Sequence, residues 1–261
     1  MTQTTTVAAT TRPTALRQYA PLTVLAIWAA AAVPMGLLAW VVAPAVAGAG
    51  ATPERFTVTL LAALTAGLVW QFVLVVTIVA REQHTLRPAR LMAALWLQSP
   101  SSPRDRSRHG GRLWWWALAT TLAVGLFEEV LSVDPAGVAS HNFGLVVGSD
   151  MGAALFRGNW LLYALALAEF TFNTVLGEEL LFRGLLLPRM RGAFGRGDWV
   201  VNAILFAGYH LHEPWAMPSA LTTGLVQAYA TKRWQTAWFG IIAHSAQSVF
   251  FAVILFTLVI S

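Results

Sequence analysis

The sequence predicts an all-α, polytopic transmembrane helix bundle of about seven spans, or eight helices counting one that lies along the membrane surface. Three observations lead there. Of the 261 residues 57% are hydrophobic and only 11% are charged, where soluble domains carry about 25% charged residues, and the mean hydropathy is +0.60. Apolar stretches long enough to cross about 30 Å of hydrocarbon at about 1.5 Å per residue recur along the chain. The basic residues lie between those stretches rather than within most of them.

The net charge is +5, and Lys232 is the only lysine. Arginine grouped between apolar segments is the pattern of loops that face anionic headgroups, so the excess implies contact with membrane lipid and no nucleic-acid partner. The absence of cysteine excludes disulfides, a thiol nucleophile and cysteine-ligated metal.

Residues 1–20 are polar and threonine-rich, a composition expected of a disordered cytoplasmic N-terminus. The first span, near 21–46, ends in Ala45-Val46-Ala47, as a cleaved signal would. Its apolar core, 21–42, exceeds the roughly 7–15 residues of a signal-peptide core, so it reads as a retained span. A second span follows near 57–80, then a basic cytoplasmic loop, 81–112, with seven arginines. Within that loop "RPARLMAALWLQSP" has apolar residues at helical spacing and is expected along the cytoplasmic surface. The third span, 113–133, closes the N-terminal transmembrane part, 21–133; it opens on Trp114-Trp115-Trp116 beside Arg112, where an interfacial aromatic belt belongs. Two more long stretches lie near 158–188 and 235–258, with shorter ones near 199–213 and 217–231.

Arginine placement orients these spans. Arg12 and Arg17 precede the first, Arg189, Arg191 and Arg196 follow the fourth, and Lys232 and Arg233 follow the sixth. The alternate loops, 47–56, 134–157 and 213–217, carry only Arg55 and Arg157. The positive-inside rule then places the N-terminus in the cytoplasm and the C-terminus outside.

Ionisable groups inside spans cost roughly 2.5–3.5 kcal/mol each for Asp, Lys or Arg on insertion scales, so they call for a function. "LGEELLFRGLLLP", residues 176–188, holds Glu178, Glu179 and Arg183. Glu178 lies 11 residues before Arg189, His210 lies 12 after Asp198, and His244 lies 11 after Arg233. At about 1.5 Å per residue all three sit roughly 16–18 Å from the cytoplasmic boundary. Glu179 and Arg183 are four apart and able to pair along one face, as are Phe206 with His210 and His244 with Ser248 in register. Glu178 points elsewhere, free of the pair and available to a cavity.

These residues carry a resemblance. "EELLFR" fits E-E-x-x-x-R, "FAGYH" fits F-x-x-x-H, and "HSAQS" fits most of H-x-x-x-N. In that order, over 158–258, they resemble the three motifs of the CPBP family of intramembrane glutamic endopeptidases, which comprises CAAX prenyl endopeptidases and bacteriocin-processing relatives. The resemblance implies an integral membrane hydrolase that cleaves a membrane-associated, lipophilic or lipidated peptide or protein without a cofactor, in a cavity open towards the cytoplasm. Glu178 would activate water, His210 would hold and polarise it, and His244 would donate to the oxyanion. Glu179 and Arg183 would form a supporting ion pair. Ser248 stands where the family has Asn, and a hydroxyl reaches less far than a carboxamide; Gln247, three residues after His244, offers a substitute. The arginine-, alanine- and tryptophan-rich composition suggests a bacterial cell membrane.

Other readings stay open at this stage. Glu178, His210 and His244 with a water have the make-up of a catalytic metal site, the alternative mechanism. The same cluster would also serve a non-catalytic membrane scaffold or immunity protein. Glu128 and Glu129 suggest an interfacial pair near the outer end of their span, and Glu169 a polar contact or a water path. In "HLHEP", His210 and His212 fall on different faces of a continuing helix and would not chelate a metal together.

Overall fold

A helix in lipid must satisfy its backbone internally, and apolar side chains may then face outward. The computed structural model describes residues 16–131 and 141–261, with the side chains of 128–131 excepted. Every regular element among them is helical. Those with a part in the argument are α1 (Pro21–Ala47), α2 (Pro53–Gln83), α3 (Pro88–Ala94), α4 (Trp115–Leu131), α5 (Phe143–Val147), α6 (Asp150–Phe156), α7 (Trp160–Arg189), α8 (Asp198–Tyr209), α9 (Met217–Trp234) and α10 (Trp238–Ile260).

Four of these, α1, α2, α7 and α10, are long and apolar enough to cross a membrane, fewer than the about seven spans expected. They expose large apolar side chains such as Leu22, Val73, Leu161 and Phe250, the surface that lipid covers. α3 occurs within the basic loop, where a surface helix was expected. α8 has only 12 residues; these rise about 18 Å, well short of the hydrocarbon core.

Local chemistry sets the boundaries. Thr52 caps α2, its hydroxyl accepting from the Arg55 amide, and Pro53 follows at the first turn, where its missing N–H costs nothing. Asn159 caps α7 in the same way through the Leu162 amide. Pro34 lies inside α1, and the next turn widens into a π-helical stretch, Leu38–Val42, as expected where a proline removes a ladder hydrogen bond.

The basic segments all meet at one end of the bundle. The Arg189 carbonyl accepts from the Tyr19 amide at 2.9 Å, the Trp234 carbonyl from the Ser101 amide at 2.8 Å, and the Trp96 carbonyl from the Ala237 amide at 2.9 Å. Lys232 pairs with Asp198 across the loops. At the other end the Gly158 amide donates to the Val259 carbonyl, and Trp40 Nε1 donates to the Leu211 carbonyl at 2.8 Å.

The expected disorder of residues 1–20 is corrected in part. Residues 1–15 lie outside the described ones, but 16–20 form an ordered strap. Tyr19 is buried, and its hydroxyl donates to Glu82 Oε1 at 2.6 Å. Burial first, then that hydrogen bond, push the Tyr19 hydroxyl above its ordinary pKa and keep it a donor. Polarity alone did not predict order because the strap is held by partners distant in sequence.

Candidate active site

Glu178 and Glu179 occupy the middle of α7 between two π-helical stretches, Phe172–Gly177 and Leu180–Leu186. Such widened turns re-aim side chains relative to a regular helix and recur at functional sites. Both glutamates and Arg183 are buried.

Glu179 is the hub of a buried polar network. Its Oε1 lies 3.3 Å from Arg183 Nη1 and 3.3 Å from His244 Nδ1. Arg183 Nη2 donates to Gln227 Oε1 at 2.5 Å. The Arg183 guanidinium also lies 4.0 Å from the centre of the Phe206 ring, in cation–π contact. Phe206 meets His210 edge-on at 4.9 Å and His244 at 6.2 Å between centroids. One phenyl ring therefore spaces the arginine and both histidines. Gly240 makes room for the hub: a Cβ there would run into the Glu179 carboxylate.

Glu178 faces the other way. Its Oε2 is buried without a hydrogen-bond partner, while the carboxylate is hydrogen-bonded by Tyr209. Tyr209 in turn accepts from Gln71 Nε2 at 2.6 Å. Glu178 lines two connected chambers. The smaller, of about 150 Å³, is bounded by His210, His244, Glu213, Gln227 and Gln247 among others. The larger, of about 300 Å³, extends past Glu169, Asn173, Glu213 and Ser248 to His141 and Trp215, with Met35, Leu64, Leu68, Phe170 and Phe251 in its apolar wall. Glu178, Asn173, Glu213, Ser219 and Gln247 border both.

The histidines are oriented by their second nitrogens. His210 Nδ1 lies 2.9 Å from the Phe206 carbonyl, which can only accept, so Nδ1 carries a proton and Nε2 is left for the chamber. His244 Nδ1 is directed at Glu179 in the same fashion.

Of the residues singled out in the sequence, Glu178, His210, His244, Phe206 and Gln247 border the smaller chamber. Glu179 and Arg183 stand behind it, and Ser248 borders only the larger one. Glu169 also lines the larger chamber. The side chains of Glu128 and Glu129 lie outside the described residues. Among the described residues no three His, Asp or Glu side chains are grouped to hold a metal ion.

One expectation is corrected. α8 ends at Tyr209, so His210 and His212 are not on different faces of one continuing helix; their rings stack with centroids 5.6 Å apart. The apolar run hid that break, because a helix and a buried turn have the same hydropathy. None of the residues lining the cavity comes from 81–112, 189–198 or 232–237.

Sequence reasoning missed Glu213, Tyr209, Gln71, Asn173 and Gly240. Gln71 and Asn173 left a signal, each a lone amide in an apolar run. Glu213 follows His212, with which it pairs at 3.2 Å. Gly240 stands four residues before His244 and shares its face.

Fold and site together define a membrane-embedded helical protein with a buried carboxylate and two histidines on an internal cavity. Residues 158–250 match the family model described as type II CAAX prenyl endopeptidase Rce1-like, in agreement with the CPBP resemblance of the three motifs. That family is a protease family, and the matched segment holds α7 to most of α10. Neither the comparison with curated proteins nor that with solved structures yields a match.

Proposed function

We propose that the protein is an intramembrane endopeptidase that hydrolyses a membrane-associated peptide with water activated by Glu178. The observation that carries this reading is the buried Glu178 carboxylate lining a chamber shared with His210 and His244. A carboxylate removed from water and near a bound water is suited to general-base work. Glu178 takes a proton as the water oxygen bonds to the scissile carbonyl carbon. His210 Nε2 holds that water. The carbonyl oxygen becomes an oxyanion, to which His244 donates from Nε2 as an imidazolium whose Nδ1–H is held by the Glu179 carboxylate. Collapse breaks the C–N bond, and the proton held by Glu178 passes to the leaving nitrogen.

Gln247 supports the oxyanion in this scheme rather than Ser248, because Gln247 borders the chamber with His244 and Ser248 does not. Glu179, Arg183 and Phe206 position the histidines without touching substrate. In the membrane, α4 and α9 join the four long helices, and α8 and α9 form a hairpin rising from the basic end. Its tip, 210–216, is irregular backbone at depth, tolerated because it lines a polar cavity. The positive-inside rule makes the basic end cytoplasmic.

The test compares peptide termini in membranes from cells expressing the wild type or Glu178→Gln, with and without a strong chelator. A product lost in Glu178→Gln and retained with chelator supports the glutamate mechanism. Loss with chelator as well points to a metal at the same residues. Identical termini from equally abundant, folded proteins would leave the cluster as a scaffold.

A further inference from the structure

α8 ends at Tyr209, and the chain turns at once through residues that line the cavity. His210 and Glu213 border the smaller chamber, and His212, Glu213 and Trp215 the larger. Past the last helical turn the backbone carbonyls have no ladder to serve, and at membrane depth each needs a donor from elsewhere. The Glu213 amide donates to the His210 carbonyl at 3.1 Å, and the Leu211 amide to the Tyr209 carbonyl at 2.7 Å. The Leu211 carbonyl takes its donor from a distant part of the chain, Trp40 Nε1 at 2.8 Å.

Three features bring that indole to the turn. Trp40 lies in the π-helical stretch Leu38–Val42 that follows Pro34, and a widened turn shifts the face on which its residues project. Gly36 lets α1 approach closely: a Cβ there would lie 3.2 Å from Leu211 Cβ. His141 stacks on the indole with centroids 4.4 Å apart, and Trp215 meets it edge-on at 6.5 Å. α1 reaches α8 through a second indole, Trp28 Nε1 on the Leu205 carbonyl at 2.8 Å. Leu205 lies inside the helix, where the ladder already fixes its backbone. Trp40 is 40% exposed. Anchoring at the membrane interface would account for that exposed ring, but not for an N–H committed to Leu211 rather than to a headgroup.

We infer that Trp40 is a positioning residue of the active site: its N–H pins the Leu211 carbonyl and so fixes the turn that presents His210 and Glu213 to the chamber beside Glu178. Trp40 lies outside residues 158–250, which match the family model, so the N-terminal helices supply part of the site's geometry. The consequence for cleavage rests on the peptidase reading above; the pinning itself rests on the contacts alone.

Trp40→Phe keeps an aromatic ring and removes the donor, and Trp28→Phe makes the same change at a carbonyl within a helix. Both are compared with the wild type by hydrogen–deuterium exchange of the membrane-embedded protein, and by kinetics on the product found in the Glu178→Gln comparison. In Trp40→Phe the amides of His210–Glu213 are expected to exchange about tenfold faster, with α7 unchanged. Its kcat is expected to fall by about 10- to 10²-fold at near-constant KM. Trp28→Phe is expected to alter neither. Unchanged exchange in the turn, a rise spread over the whole chain, or the same local rise in Trp28→Phe would overturn the pinning. Faster exchange in the turn with kcat unchanged would overturn the positioning role. Exchange needs no cleavage: if the wild type yields no product, the peptidase reading fails, while exchange still decides whether Trp40 holds the turn.

Discussion

The basic half and the hollow half of the bundle both bury polar groups and treat them in opposite ways. In the basic half each ionic group meets a counter-charge or an amide: Arg183 has Glu179 and Gln227, Arg189 has Glu82. In the hollow half Glu178, Glu169 and Glu213 border open volume. Glu178 and Glu179 are adjacent on one helix and fall on either side of this divide. Charges that must be buried anyway are least costly when paired; a charge left facing a cavity is retained at a cost, which marks it as functional. One half holds the fold together and the other is available for chemistry.

Substitutions on the two sides should therefore separate activity from stability. The largest effect is expected for Glu178→Gln: cleavage falls by about 10²–10⁴-fold, while the detergent-solubilised protein melts at the wild-type temperature. A large drop in melting temperature would return Glu178 to the structural half. Arg183→Met leaves Glu179 buried without its partner and should cost about 3–5 kcal/mol, read as lost abundance and a lower Tm. Adding Glu179→Gln should recover part of that loss, and no recovery would mean the two are not coupled.

Gln247→Ala is expected to lower kcat by about 10²–10³-fold with little change in KM, and Ser248→Ala to have a much smaller effect. The reverse order would move the oxyanion donor to Ser248. Gly240→Ala should displace the Glu179 carboxylate and destabilise by about 1–3 kcal/mol, visible in thermal unfolding. Tyr19→Phe should have the smallest effect, about 1 kcal/mol for one hydrogen bond, with cleavage unchanged. A cleavage defect there would extend the active unit to the basic end.

Much of this architecture was legible from composition. Long apolar runs in a chain short of charge have few stable alternatives to helices in lipid, and the ends of α1, α2 and α7 follow from Pro21, Thr52-Pro53 and Asn159. The polar residues that gather at and behind the cavity were legible too, because Glu178, Glu179, Arg183, His210 and His244 are conspicuous in hydrocarbon. α8 was less so: the run "VVNAILFAGYHLH" reads as one span, and only the structure ends it at Tyr209.

What the sequence by itself determined is the class of elements and the identity of the costly groups, since hydropathy and charge are properties of residues taken one at a time. The i,i+4 pairing of Glu179 with Arg183 follows from their spacing, but tertiary structure decided what else the two glutamates meet, because His244, Gln227 and Tyr209 come from α10, α9 and α8. It also decided which polar groups close against one another across more than a hundred residues of chain, as Glu82 and Arg189 do, and no local pattern encodes such a pairing.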